Sequence, residues 1–325
     1  MEERSKKISP KMIYDEVCKT VVGQDEAKKM IANVVFLHMV RYGQCLKEGK
    51  MLKKNNALLM GPTGTGKTFI VRETARALRK LTGLPLCPVL ELDCTELSPR
   101  GWVGDSISEL LNKHHEENRD NMDAFNTTIV FLDEFDKICK PAVSSSGTDH
   151  NRNTQYNLLK FIEGADLRGD KSHGSKNVPV GTHHMLFVMA GNFSEVRSAR
   201  RAKAAAKDKT LGFGLTAAEE LDKDFVDLHT ELDKVGMATQ LVGRTPFVGE
   251  LTELQPIELR KILDDHLIPE YASTWKYLGK KLKVSDDAKE QIVQDCFRRK
   301  TGARGLQTDL AKVLEDDIFN TEVRI

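Results

Sequence analysis

Apolar positions change their spacing along this chain, and the changes outline its architecture. From Asp25 to Cys45, the residues Ala27, Met30, Ile31, Val34, Val35 and Met39 recur mostly at intervals of three and four, the pattern of one buried helical face. Short uninterrupted apolar runs follow, separated by helical stretches. Ala57-Leu58-Leu59-Met60 stops at Gly61, and strands are predicted over 88–92, 128–132, 185–190 and 247–251. Runs such as Thr128-Ile129-Val130-Phe131-Leu132 lack in–out alternation, as a strand does when both faces of its sheet are covered. Helices are predicted over 68–81, 106–117 and 154–163. Strands alternating with helices imply an α/β fold on a parallel sheet with crossover helices. From about Gln255 the pattern becomes helical, with only Lys281 to Val284 strand-like. The expected organisation is a large α/β domain over 1–252, with 1–20 as an extension, and a small mainly helical domain over 253–325.

The apolar run before Gly61 leads into Gly61-Pro62-Thr63-Gly64-Thr65-Gly66-Lys67-Thr68, which matches GxxxxGK[ST] between a strand and a helix. Gly64 and Gly66 let the backbone curl so that successive N–H groups face phosphate oxygens, and the helix start adds its dipole. Lys67 is expected to reach the β and γ phosphates of ATP, and Thr68 to offer a hydroxyl to Mg²⁺.

A second apolar run, Ile129-Val130-Phe131-Leu132, ends in Asp133-Glu134. Acids placed there stand at the carboxyl edge of the sheet, where open α/β sheets bind ligands. Adjacent strand residues point in opposite directions, so the two carboxylates have different tasks. Asp133 is expected to hold Mg²⁺, and Glu134 to act as the base that polarises the attacking water. A third run, Met185 to Ala190, ends at Gly191-Asn192, and Asn192 is expected between the first two strand ends, orienting that water.

Composition narrows the partners. Lys and Arg total 49 against 48 Asp and Glu, a net charge of +1, so no global basic field argues for nucleic acid or an anionic membrane. The N-terminus is charged without an apolar core behind it, unlike a secretory signal. The cysteines (Cys18, Cys45, Cys87, Cys94, Cys139 and Cys296) form no CxxC pair, which points away from zinc and toward reduced thiols in a cytoplasmic protein.

These motifs in this order resemble the AAA+ ATPases, and within them the ClpX-type protein unfoldases, the ATP-binding subunits of Clp proteases. The resemblance runs from about Ser9 to Asn320. Val21-Val22-Gly23-Gln24 is similar to the family's segment before its first helix, which implies that Val21 and Val22 contact adenine. Gly243-Arg244-Thr245-Pro246 matches the family's arginine finger, so Arg244 would project into a neighbouring subunit's site within a homohexamer. Thr301-Gly302-Ala303-Arg304 matches the sensor of the small domain, with Arg304 at the γ phosphate. Gly101-Trp102-Val103-Gly104 resembles the first pore loop, where Trp102 and Val103 would grip a translocating polypeptide. Ser144 to Asn153 and Lys171-Ser172-His173 fall, more loosely, at a second pore loop and a basic entrance loop. Leu211-Gly212-Phe213 is similar to the tripeptide by which the family docks on its peptidase. The basic run from Arg197 to Lys209 reads as a solvated helix face.

These 325 residues include no cysteine-ligated zinc domain of the family's kind, as expected of either a truncated chain or a member without that domain, and they carry Ala190-Gly191-Asn192-Phe193 where the family has Gly-Ala before Phe. The HslU-type unfoldases insert a large domain where this chain has only 105–128. A peptidase-independent remodeller is the alternative, with Leu211 to Phe213 then structural. A helicase would share the phosphate loop and acids but not the Gly302-Ala303-Arg304 sensor.

Overall fold

The computed structural model describes residues 7–50, 52–97, 107–145, 147–167, 181–207, 228–315 and 319. Among them, β1 (Ala57–Met60), β2 (Val89–Asp93), β3 (Ile129–Asp133), β4 (Leu186–Gly191) and β5 (Phe247–Glu250) form a five-stranded sheet in the order β2-β3-β4-β1-β5. Every pairing is parallel, with Ala57 opposite Val188 on one side and Phe247 on the other. Successive side chains point to opposite faces, which splits each apolar run between two cores. Leu58, Met60, Val130, Leu132, Phe187 and Met189 enter one. Ala57, Leu59, Ile129, Phe131, Leu186 and Val188 enter the other.

The second of these cores is closed by α1 (Pro10–Val17), α2 (Asp25–Glu48) and α3 (Lys67–Thr82). The first is closed by α4 (Ile107–Glu117), α5 (Met122–Asn126), α6 (Phe135–Cys139) and α7 (His150–Glu163), with contributions from α8 (Ser194–Lys207) and α9 (Thr239–Val242). Helix α1 was not read from the sequence, although its start is marked there. The Ser9 hydroxyl accepts the Met12 N–H and Pro10 opens the first turn. Ile13 and Val17 are then buried against α2 and α3.

Residues after 253 close a third core of their own, centred on Leu259, Leu263, Trp275, Val293, Leu306 and Leu310. It is built from α10 (Pro256–Ile262), a π turn (Leu263–Leu267), α11 (Ile268–Tyr277), α12 (Asp286–Arg299) and α13 (Gly302–Val313). The strand-like segment Lys281 to Val284 forms no strand. Its alternating Leu282 and Val284 do pack on this core, but among the described residues no strand lies beside it to take its backbone hydrogen bonds.

Helix α7 also starts earlier than its periodicity suggests. The Asp149 carboxylate accepts the Arg152 N–H and caps a helix beginning at His150. Asn151, Arg152 and Asn153 are therefore helical and do not belong to a loop.

Candidate functional site: a nucleotide cavity between sheet edge and helical unit

The carboxyl ends of β1, β3 and β4 converge. Because β4 lies between β3 and β1, Asn192 emerges between the phosphate loop and the Asp133-Glu134 pair. The loop is tied to its neighbour strand by the Gly61 N–H, which donates to the Gly191 carbonyl at 3.0 Å. Lys67 Nζ donates to the carbonyls of Gly61 and Pro62 at 2.9 and 3.0 Å, so the loop fixes its own lysine. Burial pulls the Lys67 pKa below the ordinary lysine range; Asp133 and Asp136 act against this, and Arg197 and Arg304 add to it.

Thr68 Oγ1 donates to Asp133 Oδ2 at 3.4 Å, and the other Asp133 oxygen accepts the Glu134 N–H at 2.8 Å. Glu134 itself takes a left-handed backbone, with φ of 52°, immediately before α6. Such a conformation in a non-glycine residue costs of order 1–3 kcal/mol and is characteristic of functional sites. The Glu134 side chain is exposed, whereas Asp133 is half-buried.

These groups border one cavity of about 800 Å³. Residues Thr63 to Thr68, Asp133, Glu134 and Asn192 line it from the sheet edge, Val21 and Val22 line it from the segment before α2, and Arg304 lines it from the first turn of α13. Gly61 and Pro62 stand behind the loop as acceptors for Lys67. Sequence reasoning gave no part to Asp136, Phe69 or His266, which also border the cavity. Asp136 stands only two residues after Glu134 in the sequence. The Phe69 and His266 rings, edge to face at 6.4 Å, join α3 to the π turn across a distance no sequence pattern reveals. The reading of Arg197 to Lys209 as a solvated face fails at its first residue. Arg197 is buried, between Asn192 and Glu250.

The helical unit touches the phosphate loop directly. The Ala303 N–H donates to the Gly64 carbonyl at 2.9 Å. Both glycines are needed for this approach. Gly302 has φ of +61°, and a Cβ there would meet the Gly64 carbonyl oxygen at 2.5 Å; a Cβ on Gly64, φ +77°, would meet the Thr301 carbonyl oxygen at 2.4 Å. Each obstacle is backbone and cannot swing aside. Gly302→Ala is therefore expected to push the start of α13 off the loop. At about 1–3 kcal/mol of strain, ADP affinity should fall roughly 5- to 150-fold. Calorimetric titration checks this, and unchanged affinity would mean that the contact is dispensable for binding.

Arg244 is not brought to this cavity. Its Nε and Nη2 donate to Glu163 Oε1 at 2.9 and 2.7 Å, and its carbonyl accepts from Asn56 Nδ2 at 3.0 Å. The guanidinium is 55% exposed. Trp102, Val103, Leu211, Gly212, Phe213 and the segment Lys171-Ser172-His173 lie outside the described residues. Among the described residues no group of three or more His, Cys, Asp or Glu could hold a metal ion by itself, and no helix is long and apolar enough to cross a membrane.

A phosphate loop on a parallel sheet, acids two strands away and a helical unit against the loop define an ATPase of the AAA+ class. Residues 57–207 match the family described as ATPase family associated with various cellular activities (AAA), and residues 254–322 match the C-terminal, D2-small domain of ClpB protein. The chain is 30% identical over 323 residues to the ATP-dependent Clp protease ATP-binding subunit ClpX of Azotobacter vinelandii, across 93% of this chain and 71% of that one. It is 28% identical over 326 residues to the protein of the same name from Borrelia duttonii (strain Ly), across 96% of this chain and 74% of that one. The ClpX of Treponema denticola is likewise 28% identical, over 327 residues, 96% of this chain and 77% of the relative. The chain belongs to the ClpX family of AAA+ ATPases.

Proposed function

We propose that this chain is an ATP-dependent protein unfoldase, which forms a homohexameric ring, threads polypeptides through its axial pore and delivers them to a Clp-type peptidase. Its working parts are an α/β domain over 1–252 and a helical domain over 253–325. The observation that carries the reading is the bond from the Ala303 N–H to the Gly64 carbonyl. Through it, any change in the phosphate loop as ATP is bound or split is felt by the helical unit. The names of the relatives, as ATP-binding subunits of Clp protease, support a peptidase partner. Docking then falls to Leu211-Gly212-Phe213. None of the six cysteines is in a disulfide, which favours a cytoplasmic setting.

At each site the loop N–H groups and Lys67 hold the β and γ phosphates, while Val21 and Val22 contact adenine. Thr68 and Asp133, oxygen donors 3.4 Å apart, suit Mg²⁺, which takes one or two protein oxygens and leaves the rest to phosphate and water. An ion held there by Thr68 and Asp133 would neutralise phosphate charge. Glu134 accepts the proton of the attacking water and Asn192 orients it. Arg244 comes from the adjacent subunit, and Arg304 couples the γ phosphate to α13.

Trp102 and Val103 grip the polypeptide. A large flat side chain packs against whatever passes, so the grip tolerates any sequence. Trp102→Ala is expected to keep ATP turnover within about twofold and to slow unfolding of a fluorescent protein roughly tenfold or more, since a 1.36 kcal/mol loss of grip suffices for that. Unfolding at the unaltered rate would remove the pore assignment.

A further inference from the structure

We propose that Arg197 is a positioning residue for ATP hydrolysis, holding the Asn192 carboxamide so that its N–H₂ faces the phosphate cavity. The inference rests on the reading of Asn192 as the group that orients the attacking water, and it adds what orients Asn192.

The geometry is directional. Arg197 Nη1 lies 3.0 Å from Asn192 Oδ1. A guanidinium has donors only, so the atom it meets must be the carboxamide oxygen. The amide nitrogen, which only donates, is turned to the other side of the group, and Asn192 borders the cavity together with Gly191, Glu134 and Lys67. A donor in that position can bond a water or phosphate oxygen. The flipped carboxamide would present a lone pair to phosphate oxygens and repel them. Without the guanidinium, the two orientations compete.

Arg197 is itself held firmly. It is 6% exposed, and its Nε donates to Glu250 Oε1 at 3.3 Å. Glu250 ends β5 and Asn192 follows β4, with β1 between those strands. The arginine thus links the strand ends on either side of the one that feeds the phosphate loop. Its helix begins just after Phe193, a buried residue with φ of 45°, and the Arg197 N–H donates to the Phe193 carbonyl at 3.0 Å. The tight turn at Phe193 brings a side chain five positions on back over Asn192. Arg200 and Arg201 also approach Glu250, at 3.8 and 3.6 Å, so Glu250 keeps cationic partners when Arg197 is replaced.

The test is steady-state ATP hydrolysis by full-length Arg197→Met, Asn192→Ala and the double variant, alongside ADP affinity and thermal unfolding. Arg197→Met is expected to lower kcat about tenfold, the effect of one charge-assisted hydrogen bond, with ADP affinity within about twofold. The double variant should be no slower than Asn192→Ala alone, because Arg197 has nothing left to orient. Losses that multiply in the double variant, or an Arg197→Met enzyme with unaltered kcat, would overturn the proposal. Full turnover in Asn192→Ala would instead remove the reading of Asn192 on which it rests. If Arg197→Met does not fold, Arg197→Lys carries the test. It retains the charge for Glu250 but lacks the fork that reaches two acceptors at once. Its kcat should fall as well, and wild-type turnover in this variant would overturn the proposal.

Discussion

Arg244→Ala is expected to lower kcat for ATP about 10³-fold or more, the scale at which a finger arginine acts in phosphoryl transfer, while each subunit still binds nucleotide. The reason is placement. Arg244 stands away from its own chain's cavity, half exposed, with its backbone pinned by Asn56 at the start of β1 and its guanidinium held by Glu163 at the end of α7. A cation so fixed at the surface is suited to meeting a site on a second copy. Mixing gives a sharper test than the single variant. In a ring of Arg244→Ala and Lys67→Ala subunits, some interfaces pair an intact phosphate loop with an intact arginine. Two inactive preparations should therefore recover part of the activity on mixing. No recovery, with mixed assembly verified, would contradict action between subunits.

Glu134→Gln should lower turnover about 10²- to 10⁴-fold, the range for loss of a positioned general base, and leave the ATP Kd within about twofold. Glutamine keeps the shape of the side chain but cannot take a proton from water. The groups proposed to hold nucleotide are untouched: Lys67 remains against the Gly61 and Pro62 carbonyls, and Thr68 against Asp133. Glu134 meets Asp133 through its backbone N–H, which donates to Asp133 Oδ1 and is retained in the variant. Rapid-quench hydrolysis beside equilibrium ATP binding separates the two effects. Unaltered hydrolysis would move the base elsewhere, and loss of binding would give Glu134 a holding role.

Much of this arrangement is legible in the linear sequence because it follows from local rules. The strands β1, β3 and β4 are buried on both faces, so their apolar runs are continuous and their ends at Gly61, Asp133 and Gly191 are sharp. The phosphate loop is one contiguous motif. What escapes is of two kinds. Short elements fixed by caps carry little periodicity, as with α1 behind Ser9 and the extra turn of α7 behind Asp149. Contacts across long sequence separations leave no local mark. Gly302 meets Gly64, Phe69 meets His266, and Arg197 reaches Glu250, because the sheet order and the packing of the helical unit bring them together. The basic composition around Arg197 suggested solvent, whereas two acceptors, at the ends of β4 and β5 on either side of β1, bury that one arginine.

The central claim is that ATP hydrolysis by this chain unfolds protein. The most direct measurement follows the native fluorescence of a fluorescent protein carrying an unstructured tail at either terminus, incubated with the full-length chain. Fluorescence should decay with ATP, stay constant with ADP or with the Glu134→Gln variant, and fall irreversibly when a Clp-type peptidase is added. Native fluorescence that persists while ATP is consumed, with turnover stimulated instead by single-stranded nucleic acid, would contradict the account.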